Sequence, residues 1–270
     1  MDEITSRENE RIKKACALKQ KKERQKQRKV LVEGWRLIAD AAAQGLSPVQ
    51  CFITPQAATH ERFQGLYALG KRLSWQFFAV APKVYDKLKE TQHPQGIAAV
   101  LPYFTTALDR TERIAPQRPI VYLQSVQDPG NLGSIIRTAA AADAGAVVLS
   151  RDSVDVYNDK VLRSAMGAVF KIPLVTDVDM ETLQAYCLRT HRRLTGAAAS
   201  GSSSYTQLDY AQARVLAFGN EGNGLALPFL QACAETVTIP MRPETESLNL
   251  AAAVGIVLYK AWERQGFLYG

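Results

Sequence analysis

"DPGNLGSIIR", Asp128–Arg137, joins a strand-like run to a helix-like one. Before it stands the apolar run "IVYLQSV" (120–126), and after it the small-residue run "TAAAADAG" (138–145). A short apolar run bounded by turn residues reads as a buried strand. Pro129 with Gly130, and then Gly133, punctuate a turn that holds Asn131. Ser134 then reads as the opening of an alanine-rich helix whose first charge is Arg137. The helix dipole disfavours a cation in a first turn, so an anionic visitor is expected there. The turn is a candidate phosphate cradle or catalytic loop; ordinary punctuation is the plainer alternative.

The alternation continues on the C-terminal side. "AVVLS" (146–150), "KIPLVT" (171–176), "RRLTGAA" (192–198), "RVLAFG" (214–219) and "TVTIPM" (236–241) read as strands. Between and after them "NDKVLRSAMGAVF" (158–170), "ETLQAYCLRTH" (181–191), "LPFLQACAE" (227–235) and "SLNLAAAVGIVLYKAWERQ" (247–265) read as helices. "SGSSSY" (200–205) reads as a flexible polar loop. On the N-terminal side "KVLVEG" (29–34), "VQCFIT" (49–54), "WQFFAV" (75–80) and "IAAVLPYF" (97–104) are strands. "WRLIADAAAQG" (35–45), "PQAATHERFQGLYALG" (55–70) and "PKVYDKLKET" (82–91) are the helices between them. Strands alternating with helices imply α/β units with largely parallel sheets. "TTALDRTERIAP…" lacks a pattern, so the expected division is a domain over 1–104, a linker over 105–118 and a second domain over 119–270.

Charge is unevenly placed. The chain of 270 residues carries a formal +7. From Arg11 to Lys29 there are ten basic residues and one acid, Glu23, so this segment alone holds 10 − 1 = +9. "TSRENERIKKACALKQKK" (5–22) reads as one helix, with Thr5 and Glu8 at capping-box spacing. A positive segment of this kind suits phosphate backbones, a solvated helix being the plainer reading. Cys16, Cys51, Cys187 and Cys233 are scattered, which speaks against a disulfide framework or a metal site and fits the cytoplasm. The polar start is no secretory signal, and the apolar runs are too short to span a bilayer, so no membrane partner is expected.

Three strand ends carry unusual loops: "QDPGNLGSIIR", "FGNEGNG" (218–224) and "IPMRPETESLN" (239–249). Ligands of open α/β sheets sit at such ends. "GNEGNG" is neither a dinucleotide fingerprint nor a Walker loop. His60, His93 and His191 lie outside all three loops, which weakens a hydrolase triad.

In this order, "NLGSIIRTAAA", "AFGNEGNGL" and "IPMRPETESLNLAAAVGI" resemble the three motifs of the SpoU/TrmH family of RNA ribose methyltransferases. "RKVLVEGWRLIADAAAQG" and "HPQGIAAV" resemble that family's RNA substrate-binding domain. The resemblance implies an N-terminal α/β RNA-binding domain like those of ribosomal proteins. It also implies a C-terminal SPOUT α/β domain with a deep trefoil knot, and a homodimer formed through that domain. The implied reaction moves a methyl group from S-adenosylmethionine to a ribose 2′-hydroxyl of RNA, with large-subunit ribosomal RNA as the expected substrate. A transfer RNA methyltransferase and a non-catalytic RNA-binding protein of the same fold stay open. Asn131, Arg137, Glu221, Ser247 and Asn249 match the family's polar active-site positions. Gly219, Ile239 and Leu248 match its cofactor-pocket positions, Met241 lies beside them, and Ala197 falls in a further cofactor loop; core packing also accounts for Ile239 and Leu248. No metal is implied. "RPETE" (242–246) is more charged than the small-residue linker expected before Ser247.

Overall fold

The structure, a computed structural model, describes residues 1–245 and 247–268, and it divides into two compact units, Met1–Phe104 and Thr105–Gly270. In the first unit β1 (Asp2–Ile4), α1 (Glu10–Ala17) and α2 (Lys21–Gln27) precede β2 (Lys29–Glu33). Then come α3 (Trp35–Ala43), β3 (Gln50–Ile53), α4 (Phe63–Arg72), β4 (Gln76–Val80), α5 (Pro82–Tyr85) and β5 (Ile97–Pro102). The sheet order is β1-β4-β3-β5-β2.

This sheet is mixed, not largely parallel as expected. β4 pairs parallel with β1 and β3, whereas β5 runs antiparallel to β3 and β2. The cause is the connection before β5. A parallel strand needs a crossover back to the far end of the sheet. Here α5 is a single turn, and Ile97 pairs with Ile53, so β5 starts where β3 finishes. Glu33 anchors this connection by accepting hydrogen bonds from Tyr85 Oη (3.0 Å) and the Glu90 and Thr91 N–H groups (2.9 and 3.1 Å).

The N-terminal helix also differs from its reading. Residues 2–4 pair with β4 as a strand, so the chain is not yet helical at Thr5. Asn9 is the cap, its side chain accepting the Arg11 N–H at 2.9 Å. The helix then breaks after Ala17 and restarts at Lys21. Buried Arg24 folds back over the break and donates to the carbonyls of Leu18 (3.1 Å) and Lys19 (2.8 Å). α1 lays Ile12 and Ala15 into a core with Phe52, Phe78 and Val100. The helix expected over 55–70 begins only at Phe63, after a 3-10 turn at Ala57–Thr59.

The second unit contains β6 (Ile120–Leu123), α6 (Pro129–Ala141), β7 (Ala146–Leu149), α7 (Asp159–Ser164), β8 (Leu174–Val175) and α8 (Met180–Thr190). It continues with β9 (Arg193–Ala197), β10 (Ser203–Ser204), β11 (Arg214–Phe218), α9 (Leu227–Ala232), β12 (Glu235–Thr238) and α10 (Leu250–Arg264). The order is β10-β12-β9-β11-β6-β7-β8, parallel at every pairing. Central β6, β7 and β11 are buried along their whole length, as strands covered on both faces are. α7 stops at Ser164 rather than running to 170, because Met166 and Gly167 take positive φ (51° and 82°).

Two segments are more ordered than their composition suggested. The expected loop 200–205 contains β10, and Ser202 Oγ donates to the Thr236 carbonyl at 3.0 Å. Gly201 permits this approach, since a Cβ there would stand 2.2 Å from the Val237 carbonyl carbon. Residues 105–118, read as a linker, pack onto the second unit. Thr106 N–H donates to Leu174 O (2.8 Å), and Thr111 Oγ1 donates to Tyr186 Oη (3.0 Å). The buried Arg192 guanidinium donates to the carbonyls of Ile114 (2.9 Å), Ala115 (3.1 Å), Pro116 (3.4 Å) and Arg118 (2.9 Å), and to that of Arg214 (3.4 Å). Five carbonyls thereby take the place of a carboxylate around a buried cation.

Candidate active site

β6 and β11 are neighbours in the sheet, but the chain leaves them in opposite directions, toward β7 and toward β12. Such a switch point opens a crevice at the carboxyl ends of the strands. The loops after both strands are tied together there. Gln124 N–H donates to Phe218 O (2.8 Å), and Gln124 Oε1 accepts the Ala226 N–H (3.1 Å).

The segment "DPGNLGSIIR" is helical almost throughout. Asp128 is the N-cap of α6 and accepts the Asn131 N–H at 2.7 Å, and Pro129 takes the first helical position, where its missing N–H costs nothing. The glycines read as turn residues lie inside the helix. Gly133 serves packing, since a Cβ there would stand 1.8 Å from Ser164 Oγ of α7. Arg137 is therefore the ninth residue of α6, not part of its first turn. The helix dipole puts no penalty on a cation there, because that field fades within one turn. What stands out instead is that Arg137 is exposed and has no ion-pair or hydrogen-bond partner among the described residues.

Glu221 gathers the site. Its carboxylate accepts the N–H groups of Gln127 (3.3 Å) and Asp128 (3.2 Å) and Nδ2 of Asn131 (3.0 Å). Desolvation opposes its ionisation. The hydrogen bonds from Asn131 and from the backbone of Glu221, Gln127 and Asp128 outweigh that and hold the carboxyl below its ordinary 4.5. With its amide nitrogen turned to Glu221, Asn131 offers its oxygen to Asn249 Nδ2 at 2.9 Å. Asn249 in turn caps α10, accepting the N–H groups of Ala251 (2.9 Å) and Ala252 (3.3 Å). The relay Glu221–Asn131–Asn249 thus fixes both amide orientations and ties the starts of α6 and α10 to the loop after β11.

Beside this relay lies a cavity of about 420 Å³. Ala197, Gly219, Ile239, Met241 and Leu248 all line it, and so do Glu221 and Ser247. Asn131, Asn249 and Arg137 do not. Two of these three reach the cavity wall through Glu221, whereas Arg137 stands apart, on an exposed part of α6. Gly219 is buried where the loop doubles back, and a Cβ on it would lie 1.8 Å from the Gly224 carbonyl carbon. Asn220 Oδ1 holds that loop by accepting the N–H groups of Gly222 (3.1 Å) and Asn223 (2.7 Å). Sequence reasoning missed Gln127, Asp128 and Asn220, which shape the wall; an Asp three residues before Asn131 is a cap signal that could have found Asp128. Glu221 is the sole charged residue on the lining among the described residues.

The model of the SpoU rRNA methylase family matches residues 118–259, more than half of the chain. The chain belongs to this family. The model of the MRM3-like substrate binding domain matches residues 9–99. Over 96% of this chain and 98% of the relative, the sequence is 30% identical to the 23S rRNA (guanosine(2553)-2'-O)-methyltransferase RlmP of Bacillus subtilis. Among solved structures, it is similar to an AdoMet-bound rRNA methyltransferase from Sinorhizobium meliloti, at TM-score 0.85 and 29% identity over 97% of this chain and 98% of that one. It is likewise similar to the SpoU methyltransferase AviRb from Streptomyces viridochromogenes in complex with AdoMet, at TM-score 0.86 and 28% identity over 97% and 100% of the two chains. The SpoU match covers β6 through most of α10 and so takes in all three loops of the site.

Proposed function

We propose that the protein methylates a ribose 2′-hydroxyl of RNA, with S-adenosylmethionine as donor, and that the RNA is large-subunit ribosomal RNA. The observation that carries this is the Glu221–Asn131–Asn249 relay, which meets the wall of the 420 Å³ cavity at Glu221. The cavity suits the donor. Its size falls in the range of about 300–1,000 Å³ typical of small-molecule sites. Ile239, Met241, Leu248 and Leu230 offer apolar surface for a heterocycle, and the ionised Glu221 complements a cationic centre. Bound S-adenosylmethionine supplies an activated methyl group, so no metal or redox group is needed. Among the described residues, no cluster of His, Cys, Asp and Glu could hold a metal ion.

The chain's own residues then have distinct tasks. Ala197, Gly219, Ile239, Met241 and Leu248 hold the donor. Asn131, Ser247 and Asn249 orient the ribose, and alignment of reacting groups is worth several kcal/mol of barrier. Arg137, unpartnered on α6, clamps an RNA phosphate beside the target ribose. A guanidinium stays protonated in proteins, so this role is positioning rather than proton uptake.

The first unit contributes RNA affinity and the second the chemistry, with the C-terminal segment of the second unit knotted as the family resemblance implies. A strand order in which the chain passes from β11 over β9 to β12 is consistent with that knot. The second unit also forms the homodimer, a reading supported by exposed Tyr259 on α10 and by Phe267 beyond it. No helix among the described residues is long and apolar enough to cross a membrane, and a ribosomal RNA substrate points to the cytoplasm.

Transfer of labelled methyl from S-adenosylmethionine to isolated 23S rRNA, with ribose-methylation mapping of total RNA from cells with and without the gene, tests the reading. One large-subunit site that vanishes without the gene is expected. A vanished transfer RNA site would reassign the substrate, and no vanished site together with no transfer would leave an RNA-binding protein.

A further inference from the structure

The first unit carries a groove of its own, lined by none of the residues assigned to methyl transfer. It runs between the α1–α2 pair and one end of the five-stranded sheet. One cavity of about 400 Å³ is lined by Arg11, Lys14, Gln27, Lys29 and Gln50 over a floor that includes Val100. A second, of about 260 Å³, shares Arg11 and adds Tyr67, Lys71 and Gln76. Arg11 is held at the junction, with its guanidinium 5.0 Å from the centre of the Phe78 ring. The register explains the row of amides. Gln50 stands opposite Gln76 on β4 and opposite Val100 on β5, so the three side chains share one face of the sheet. Gln50 Nε2 donates to Gln76 Oε1 at 3.3 Å, which is a long and easily exchanged contact.

Some lysines of the first unit are committed to ion pairs and others are not. Lys13 and Lys19 are paired with Glu8 (3.0 Å) and Glu90 (3.4 Å). Lys14, Lys29 and Lys71 are exposed and have no ion pair among the described residues. Together the two cavities present four cationic side chains, Arg11, Lys14, Lys29 and Lys71, against two carboxylates, Asp2 and Glu10. Cations at the rim, amides in a row and an apolar floor form a combination that fits a nucleotide strand. Lysines meet phosphates, while glutamine amides match the donor–acceptor pairs of base edges. A recessed groove takes splayed bases, which a single strand offers and an A-form duplex does not.

We infer that this groove seats a single-stranded segment of the RNA substrate, with Lys14 and Lys29 on phosphates and Gln50 and Gln76 on a base edge. The inference rests on the RNA-methyltransferase reading above. It is tested with the full chain, a fluorescein-labelled 12-nucleotide single-stranded RNA of mixed sequence and the matching duplex, by anisotropy at several salt concentrations. Lys14→Ala/Lys29→Ala is expected to weaken single-strand binding about tenfold. It should also lower the slope of log K against log salt by about 1.4, at about 0.7 per lost phosphate contact. Lys21→Ala/Lys22→Ala, on the same basic segment but outside the groove, should weaken it less than about twofold. Gln50→Ala/Gln76→Ala should weaken it with the slope unchanged. Unchanged S-adenosylmethionine affinity and melting temperature identify variants that are folded.

The inference is overturned if the groove pair behaves like the Lys21/Lys22 pair, or if duplex binding falls as much as single-strand binding. It is also overturned, in favour of an acidic protein partner, if an oligoglutamate 12-mer binds more tightly than the RNA and loses that binding in Lys14→Ala/Lys29→Ala. Methyl transfer by the unaltered protein is scored separately. Transfer with an indifferent groove removes only this inference, whereas an RNA-binding groove without transfer removes the enzymatic reading.

Discussion

Glu221 combines two duties, orienting an amide and charging a cavity wall, and its titration separates them. Its folded-state pKa lies below the ordinary 4.5, so ionisation favours the folded state. That contribution is fully present above about pH 4.5 and is lost as pH falls through the folded value. The carboxylate is exposed at the surface, so solvent screens the effect and it stays modest. Glu221→Gln should melt slightly below the unaltered protein at pH 7, and the gap should close as pH drops beneath 4.5, as thermal denaturation across pH would show. Arg137 behaves differently. Arg137→Ala should cut methyl transfer by about 10²-fold or more while S-adenosylmethionine affinity shifts less than about twofold. Near-normal turnover by that variant would remove Arg137 from the site. Glu221, Asn131 and Asn249 could be singled out in the sequence only through the resemblance to the family's three motifs, because glycine and asparagine at strand ends are also ordinary turn chemistry. Arg192 could not be, because its partners are backbone carbonyls, which leave no trace in side-chain identity.

At the level of elements, glycine was the residue most easily misread. Gly130 and Gly133 look like turn punctuation, yet both lie within α6, where Asp128 and Pro129 set the start. Gly133 marks the close approach of α7 instead. Gly219 does the same for the loop after β11. Gly219→Ala would push its methyl into the Gly224 backbone, which is no flexible neighbour. A loss of about 1–3 kcal/mol or more is expected, measured by chemical denaturation, together with weakened donor binding by calorimetry. Strands that follow an apolar run were readable; β1 was not, since Asp2–Ile4 is three residues long with two acids. The reversal of β5 was likewise hidden, because periodicity reports a strand and says nothing of its direction.

For the whole molecule, the basic N-terminal segment is part of the fold rather than an arm. Ile4, Ile12, Ala15 and Leu18 sit in the core of the first unit. Removing everything before Val30 would therefore damage that unit along with any RNA contact. Circular dichroism of such a truncation should show lost structure and a lowered melting temperature, and substitution at the lysines is the cleaner probe of binding. The association state can be read independently. Sedimentation of the intact chain should give twice 29.7 kDa, and Tyr259→Asp, which places a charge on exposed α10, should shift it toward the single value.

The five carbonyls around Arg192 decide where this protein can be cut. A fragment beginning at Thr105 keeps them all, whereas one beginning at Pro119 discards four and uncovers the guanidinium. The lost hydrogen bonds, together with the loss of Leu108 and Ile114 from the core they pack against, cost about 2–5 kcal/mol. At about 2–4 °C per kcal/mol, the shorter fragment should melt roughly 10 °C below the longer one. Residues 105–118 are thus the opening segment of the second unit, inherited with it. Any transplant of that unit onto another RNA-binding module has to carry them along.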